Sequence, residues 1–226
     1  MLTRTATRIL LILSTLLGLM AAVPALAQQD VITVGTVSGY GTVDVPVYIR
    51  DVGGTPLGLE QPPGSRIQSY SIKVNYSAGP SSVTFARAGI TAALTPTFES
   101  SPSAAGTISL LDTFQEVTNL IPFTLNGAVP GNQVARLRVN IPSSVPAGTV
   151  ISLTLDPVLT QLSDEAGSPA TVERTTNGRL TLINGSITVL AFPAPAEIPT
   201  LGNWALLLLA MSLGLLAVKT GFVRRP

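Results

Sequence analysis

Residues 42–49 read Thr-Val-Asp-Val-Pro-Val-Tyr-Ile, an unbroken alternation of apolar and outward-facing positions. On an extended chain successive side chains point to opposite faces. Val43, Val45, Val47 and Ile49 therefore share one face, and Thr42, Asp44, Pro46 and Tyr48 share the other. This is the pattern of a strand with one face on a core and one in water. Proline cannot donate to a ladder, so Pro46 predicts an edge strand or a bulge.

The same period recurs down the chain. SYSIKVNY at 69–76 turns Tyr70, Ile72, Val74 and Tyr76 inward and Ser71, Lys73 and Asn75 outward. QVARLRVNI at 133–141 turns Ala135, Leu137, Val139 and Ile141 inward and Arg136 and Arg138 outward. VISLTLDPV at 150–158 places Ile151, Leu153 and Leu155 on one face. RLTLINGSITV at 179–189 closes the series, and its Asn184-Gly185 step reads as a bulge. Weaker strands are expected at 31–37, 83–87 and 107–112. No window of ten or more residues in this region carries a helical period. About nine short strands with one wet face each specify an all-β fold of two packed antiparallel sheets, a β-sandwich. The Gly- and Pro-rich stretches 51–66 and 95–106 are expected as surface loops.

Composition removes whole classes of chemistry. The chain has no cysteine and no histidine. No Ser-His-Asp triad, Cys-His pair or histidine-bearing zinc site can be built from it. Carboxylates remain, and the candidates among them are Asp44, Glu60, Glu99, Asp112, Glu116, Asp156, Asp164, Glu165 and Glu173. They are scattered over turns and apparent solvent faces, and read as solvated charges. No catalytic residue, metal ligand or cofactor is assigned. Calcium needs only oxygen ligands, but no D-x-[DN]-x-[DN]-G loop is present.

The two ends differ from the body. Arg4 and Arg8 precede an apolar stretch from Ile9 to Val23, and Ala25-Leu26-Ala27 then offers a small-residue cleavage site before Gln28. These are the three parts of a secretory signal peptide, assigned to 1–27. At the other end, Trp204 to Val223 is twenty residues, which as a helix span about 30 Å, the thickness of a bilayer's hydrocarbon core. Seven of the fourteen residues from Ala205 to Val218 are leucine. Lys219, Arg224 and Arg225 lie on one side of the run, which orients that side to the cytoplasm. Thirteen cations and twelve anions give the whole chain a net charge of +1. Five of the cations belong to the two ends, so the body from 28 to 197 is mildly acidic. That argues against binding a nucleic-acid backbone.

Ile198-Pro199-Thr200-Leu201, followed by Trp204, an apolar run and a basic end, resembles the IPTL-CTERM sorting signal of Gram-negative bacteria. The resemblance implies recognition by an exosortase, a membrane transpeptidase that removes the tail and passes the body to the surface. The usual pattern has glycine after the tryptophan, where this chain has Ala205. Pro199 removes an amide donor and disfavours helix at Ile198, leaving the motif extended ahead of the span.

The body has a second likeness. The opening ITVGTVSGYGTVDVPVYI, then IQSYSIKVNY with VTF, then VARLRVNIPSSVPAGTVISLTLDPVLTQLSDEAG and the final INGSITV resemble a cohesin domain over about Val31 to Leu190. The likeness implies a nine-stranded jelly-roll sandwich, related to some carbohydrate-binding modules, that binds a dockerin through a flat sheet face. Residues 60–69 and 91–106 follow the pattern less closely. The expected organisation is a signal peptide at 1–27, a sandwich at 28–190, a Pro-rich stalk at 191–197 and a sorting segment at 198–226 with a transmembrane helix at about 204–223. The function expected is that of an exported, surface-sorted, non-enzymatic binding or structural module. Its expected partners are the secretion machinery, an exosortase, the membrane, and a dockerin-like protein or, alternatively, an extracellular polysaccharide. A carboxylate-dependent glycosidase is the remote alternative. If the strands at 69–76 and 133–141 lie in one sheet, Lys73, Asn75, Arg136 and Arg138 share one solvent face and form a partner-binding patch.

Overall fold

A computed structural model describes residues 28–193 and 202–222, with the side chains of 203, 204 and 217–222 outside the description. The expected signal peptide with Ala25 and Ala27 therefore lies outside the described residues, whereas Gln28 is described and exposed. Ile198, Pro199, Thr200, Leu201, Arg224 and Arg225 also lie outside, as do the side chains of Trp204 and Lys219.

The alternating stretches become strands, and their apolar faces become the core. The five-stranded first sheet holds β1 (Asp30–Val34), β3 (Gly41–Arg50), β5 (Ser82–Arg87), β9 (Asn132–Ile141) and β12 (Leu180–Ile183), in the order β12-β1-β3-β9-β5. The second sheet holds β2 (Thr36–Gly39), β4 (Ser69–Tyr76), β6 (Phe98–Ser100), β8 (Thr107–Thr113), β10 (Val150–Leu155) and β13 (Gly185–Val189), in the order β2-β13-β10-β4-β8-β6. Two short strands complete it, β7 (Ser103–Ala104) beside β8 and β11 (Gln161–Ser163) beside β4. Val45, Val47, Leu137 and Val139 of the first sheet are fully buried, as are Ile72, Val74 and Leu153 of the second. Burying each such side chain is worth about 1.5–3 kcal/mol. Tyr76, expected inward, is only half-buried.

Two of the expected strands do not stay in one sheet. The first leaves the first sheet after Val34 and continues as β2 in the second. The last does the same at Asn184, between β12 and β13. The Asn184-Gly185 step is therefore a sheet switch. Each switched pair runs parallel, β1 with β12 and β13 with β2, while the other ladders are antiparallel.

Pro46 lies in neither of its expected places alone. Strand β3 is interior, between β1 and β9, and a register shift falls just after it, between Val47 and Tyr48. In an antiparallel strand the N and C=O of one residue point to the same side. The Pro46 carbonyl accepts from Gly35 N at 2.8 Å, where β1 turns away toward the other sheet. Its missing N–H therefore faces the departing chain, and no bond to β9 is lost.

The segment from Phe192 onward forms a separate unit. Its described residues hold one helix, α1 (Asn203–Phe222), twenty residues long. Its described side chains run from Ala205 to Leu216, about 18 Å of helix at 1.5 Å per residue. Within that stretch the leucines are exposed. Among the described residues no helix is long and apolar enough to cross a membrane.

Candidate partner-binding face

The structure separates the expected patch. Lys73 and Asn75 stand on β4 in the second sheet, and Arg136 and Arg138 stand on β9 in the first. The sheets pack core to core, so the two outer faces look away from each other and the four residues share no surface. Alternation places each side chain outward, as the sequence implies, but cannot say which strands neighbour one another.

On the first sheet the arginines are already occupied. Cross-strand pairing sets Arg138 opposite Asp44 and Arg136 opposite Pro46. Arg138 Nε and Nη2 donate to the two Asp44 oxygens at 3.0 and 3.2 Å. Arg136 Nη1 approaches the same carboxylate at 3.8 Å. The hydrogen bonds from Arg138 hold the Asp44 carboxyl below the usual carboxylate range, and Asp44 in turn raises Arg138. A bidentate pair of this kind fixes side-chain geometry. It leaves this face little free charge to attract a partner.

The outer face of the second sheet has a different chemistry. Across β4 and β8, Ser69 faces Thr113, Ser71 faces Leu111, Lys73 faces Ser109 and Asn75 faces Thr107. Thr154 of β10 lies beside Asn75, and Gln161 of β11 beside Ser71. On the far side Ser100 and Phe98 of β6 lie beside Leu111 and Thr113. The surface is made of short, uncharged side chains around one cation. Its rims are apolar: Phe98 is exposed at one edge, and Val158 and Leu159 at the other.

The loop carrying Val158 and Leu159 is tied to β4. Asp156 accepts from Val158 N and Leu159 N at 2.9 and 3.0 Å, and its Oδ2 lies 3.5 Å from Lys73 Nζ. Ser71 Oγ donates to Leu159 O at 2.9 Å. Burial alone would raise the Asp156 carboxyl. The two loop amides and the ammonium outweigh that and hold it low. Lys73 thus anchors one rim of the face. Its ammonium is partly exposed.

Sequence reasoning missed Phe98. The stretch 95–106 reads as a polar, turn-rich loop, yet 98–100 and 103–104 pair with β8. Three residues are too short to show a period, so the only signal is an aromatic among serines. The carboxylates also depart from expectation. Asp112, Asp164 and Glu173 are buried rather than solvated, and Asp30 and Asp51 are buried with them. Asp164 accepts from Thr171 Oγ1 and Ser168 N, which closes a local turn.

The chain is similar to the third cohesin ScaC of Acetivibrio cellulolyticus, solved in complex with the ScaB dockerin. The match has a TM-score of 0.51 at 18% identity, and covers 72% of this chain and all of that one. This chain has a cohesin-like fold. Similar structures include the seventh ScaB type I cohesin of Pseudobacteroides cellulosolvens, with 22% identity, a TM-score of 0.47, and 76% and 99% of the two chains covered. A non-cellulosomal cohesin of the archaeon Archaeoglobus fulgidus matches at 12% identity and a TM-score of 0.47, covering 72% and 92%. Outside the cohesin-like sandwich, residues 198–225 match the IPTL-CTERM motif. No curated protein matches the chain.

Proposed function

We propose that this chain is an exported, surface-sorted, non-enzymatic binding module whose cohesin-like sandwich holds a dockerin-like protein partner. The observation that carries the reading is the outer face of β10, β4 and β8. It carries hydroxyl and amide side chains around Lys73 and Leu111, and is rimmed by Phe98, Val158 and Leu159. Neutral side chains cost less to desolvate than charged ones, and Phe98, Val158 and Leu159 add exposed apolar area that a partner can cover. Fold likeness to a dockerin-bound cohesin favours the same class of partner by analogy.

The ends serve delivery. Residues 1–27 direct export and leave Gln28 as the mature N-terminus. Residues 204–223 span the inner membrane, with Lys219, Arg224 and Arg225 inside. The segment from Ile198 to Trp204 presents the sorting signal to an exosortase at the outer surface of that membrane, and 191–197 form a stalk. The matched motif supports this part.

The test is affinity capture from an envelope extract with the wild-type chain and with Ser71→Arg/Leu111→Arg. Both side chains lie half-buried on the outer face, and circular dichroism of the double variant checks that it is folded. Loss of a specific protein from the variant supports the reading. Equal capture by both refutes it, and recovery of a polysaccharide in place of a protein moves the ligand to the other class.

A further inference from the structure

The loop after β3 is held by carboxylates. Val52 N donates to Asp30 Oδ1 at 2.7 Å, Gly54 N to Glu60 Oε1 at 2.8 Å, Leu57 N to Glu173 Oε1 at 3.2 Å and Leu59 N to Asp51 Oδ2 at 3.0 Å. The residues come from three places in the fold. Asp30 opens β1, Asp51 follows β3, and Glu173 bridges to Leu162 of β11. Asp30, Asp51 and Glu173 are fully buried.

Each of these three has one oxygen with no hydrogen-bond partner: Asp30 Oδ2, Asp51 Oδ1 and Glu173 Oε2. Asp30 and Glu173 hold two amides of the same loop, those of Val52 and Leu57, and the two carboxyls act on each other. Two ionised carboxylates cannot share a dry site, since each repels the other and neither is solvated. The charged groups around the pair are Asp51, acting on Asp30, and Arg179, acting on Glu173; Glu60 acts on Asp51. Arg179 is the sole cation among them. Among the described residues, no group of three or more acidic side chains is placed to hold a metal ion. A proton shared between the two carboxyls neutralises one charge of the pair.

We propose that Asp30 and Glu173 share one proton, and that this carboxyl–carboxylate clasp holds the loop from Val52 to Glu60 shut and releases it in alkaline medium. Burial raises both carboxyls, and each partner's charge raises Asp30 further, in keeping with that assignment. The inference does not rest on the partner-binding reading, because the clasp is interior to the sandwich.

The experiment is amide hydrogen exchange of the full chain in detergent micelles, read at Val52 and Leu57 and corrected for intrinsic rates. Opening of the loop releases one proton, so protection should fall about tenfold per pH unit wherever the closed form holds that proton and the open form does not. In Asp30→Asn the amide hydrogen replaces the shared proton, and the slope should vanish. Glu173→Gln serves as a second variant with the same expectation, and Asp51→Asn should keep the wild-type slope. Protection independent of pH in the wild-type chain would overturn the proposal. So would a slope unchanged in both Asp30→Asn and Glu173→Gln, or wild-type protection restored at high pH by calcium chloride alone.

Discussion

A Cβ placed on Gly185 would lie 2.2 Å from the carbonyl oxygen of Gly35 and 2.7 Å from that of Val34. These residues are the two points where a strand leaves one sheet for the other. The crossing chains touch backbone to backbone, and glycine alone permits that approach. Gly185→Ala should destabilise the sandwich by about 1–3 kcal/mol, since rigid backbone must move apart to admit the methyl group. Chemical denaturation of the two proteins measures it. An unchanged midpoint would mean that the switch tolerates separation.

Tyr70 donates its hydroxyl to Asp112 Oδ2 at 2.7 Å inside the sandwich, and Asp112 Oδ1 has no partner. Burial pushes the Asp112 carboxyl up to about 6, against the Tyr70 hydrogen bond. A folded-state value above the unfolded one means that the folded form keeps its proton longer. The associated stability is present below about pH 4 and is lost as pH rises through about 6. Asp112→Asn keeps an acceptor for Tyr70 and removes the charge. Its melting temperature should fall less than that of the wild type over this range. Equal falls would place the titrating group elsewhere.

The alternation of residues such as Val43, Val45 and Val47 made the sandwich legible, because a half-buried strand must repeat every two residues. Neighbour relations were not legible. Nothing in SYSIKVNY or QVARLRVNI says that β4 and β9 belong to different sheets. Pairing is decided by long-range packing, and a strand's own pattern states only which face is inward. The same limit hid Asp30 and Asp51. Both sit at strand ends, where a charge reads as solvated, and only the fold buries them. Phe98 was hidden by the shortness of its strand. The sorting segment was legible because its motif, apolar run and basic end follow one another in the chain.

Arg136 and Arg138 are bound to Asp44 on the sheet opposite the proposed face. Arg136→Ala/Arg138→Ala should leave partner capture unchanged, with little loss of thermal stability, because exposed ion pairs contribute little. Capture that fails only in this variant would transfer the site to the first sheet.

Pro199 is expected to keep the sorting motif extended ahead of the helix. Pro199→Ala lets the helix grow back through Ile198, so an unprocessed, membrane-bound form should accumulate in the cell. Immunoblotting of envelope fractions distinguishes the two sizes. Normal processing of the variant would reduce the tail to an anchor.

The proposed partner site is the outer face of β4 and β8. A photo-crosslinking residue at Ser109, opposite Lys73 at the middle of that face, tests it directly in the full chain in its own cell. Thr84, paired with Arg138 on the other sheet, is the control position. A discrete protein adduct is expected from position 109 and none from position 84. An adduct from position 84 with none from position 109 would contradict it.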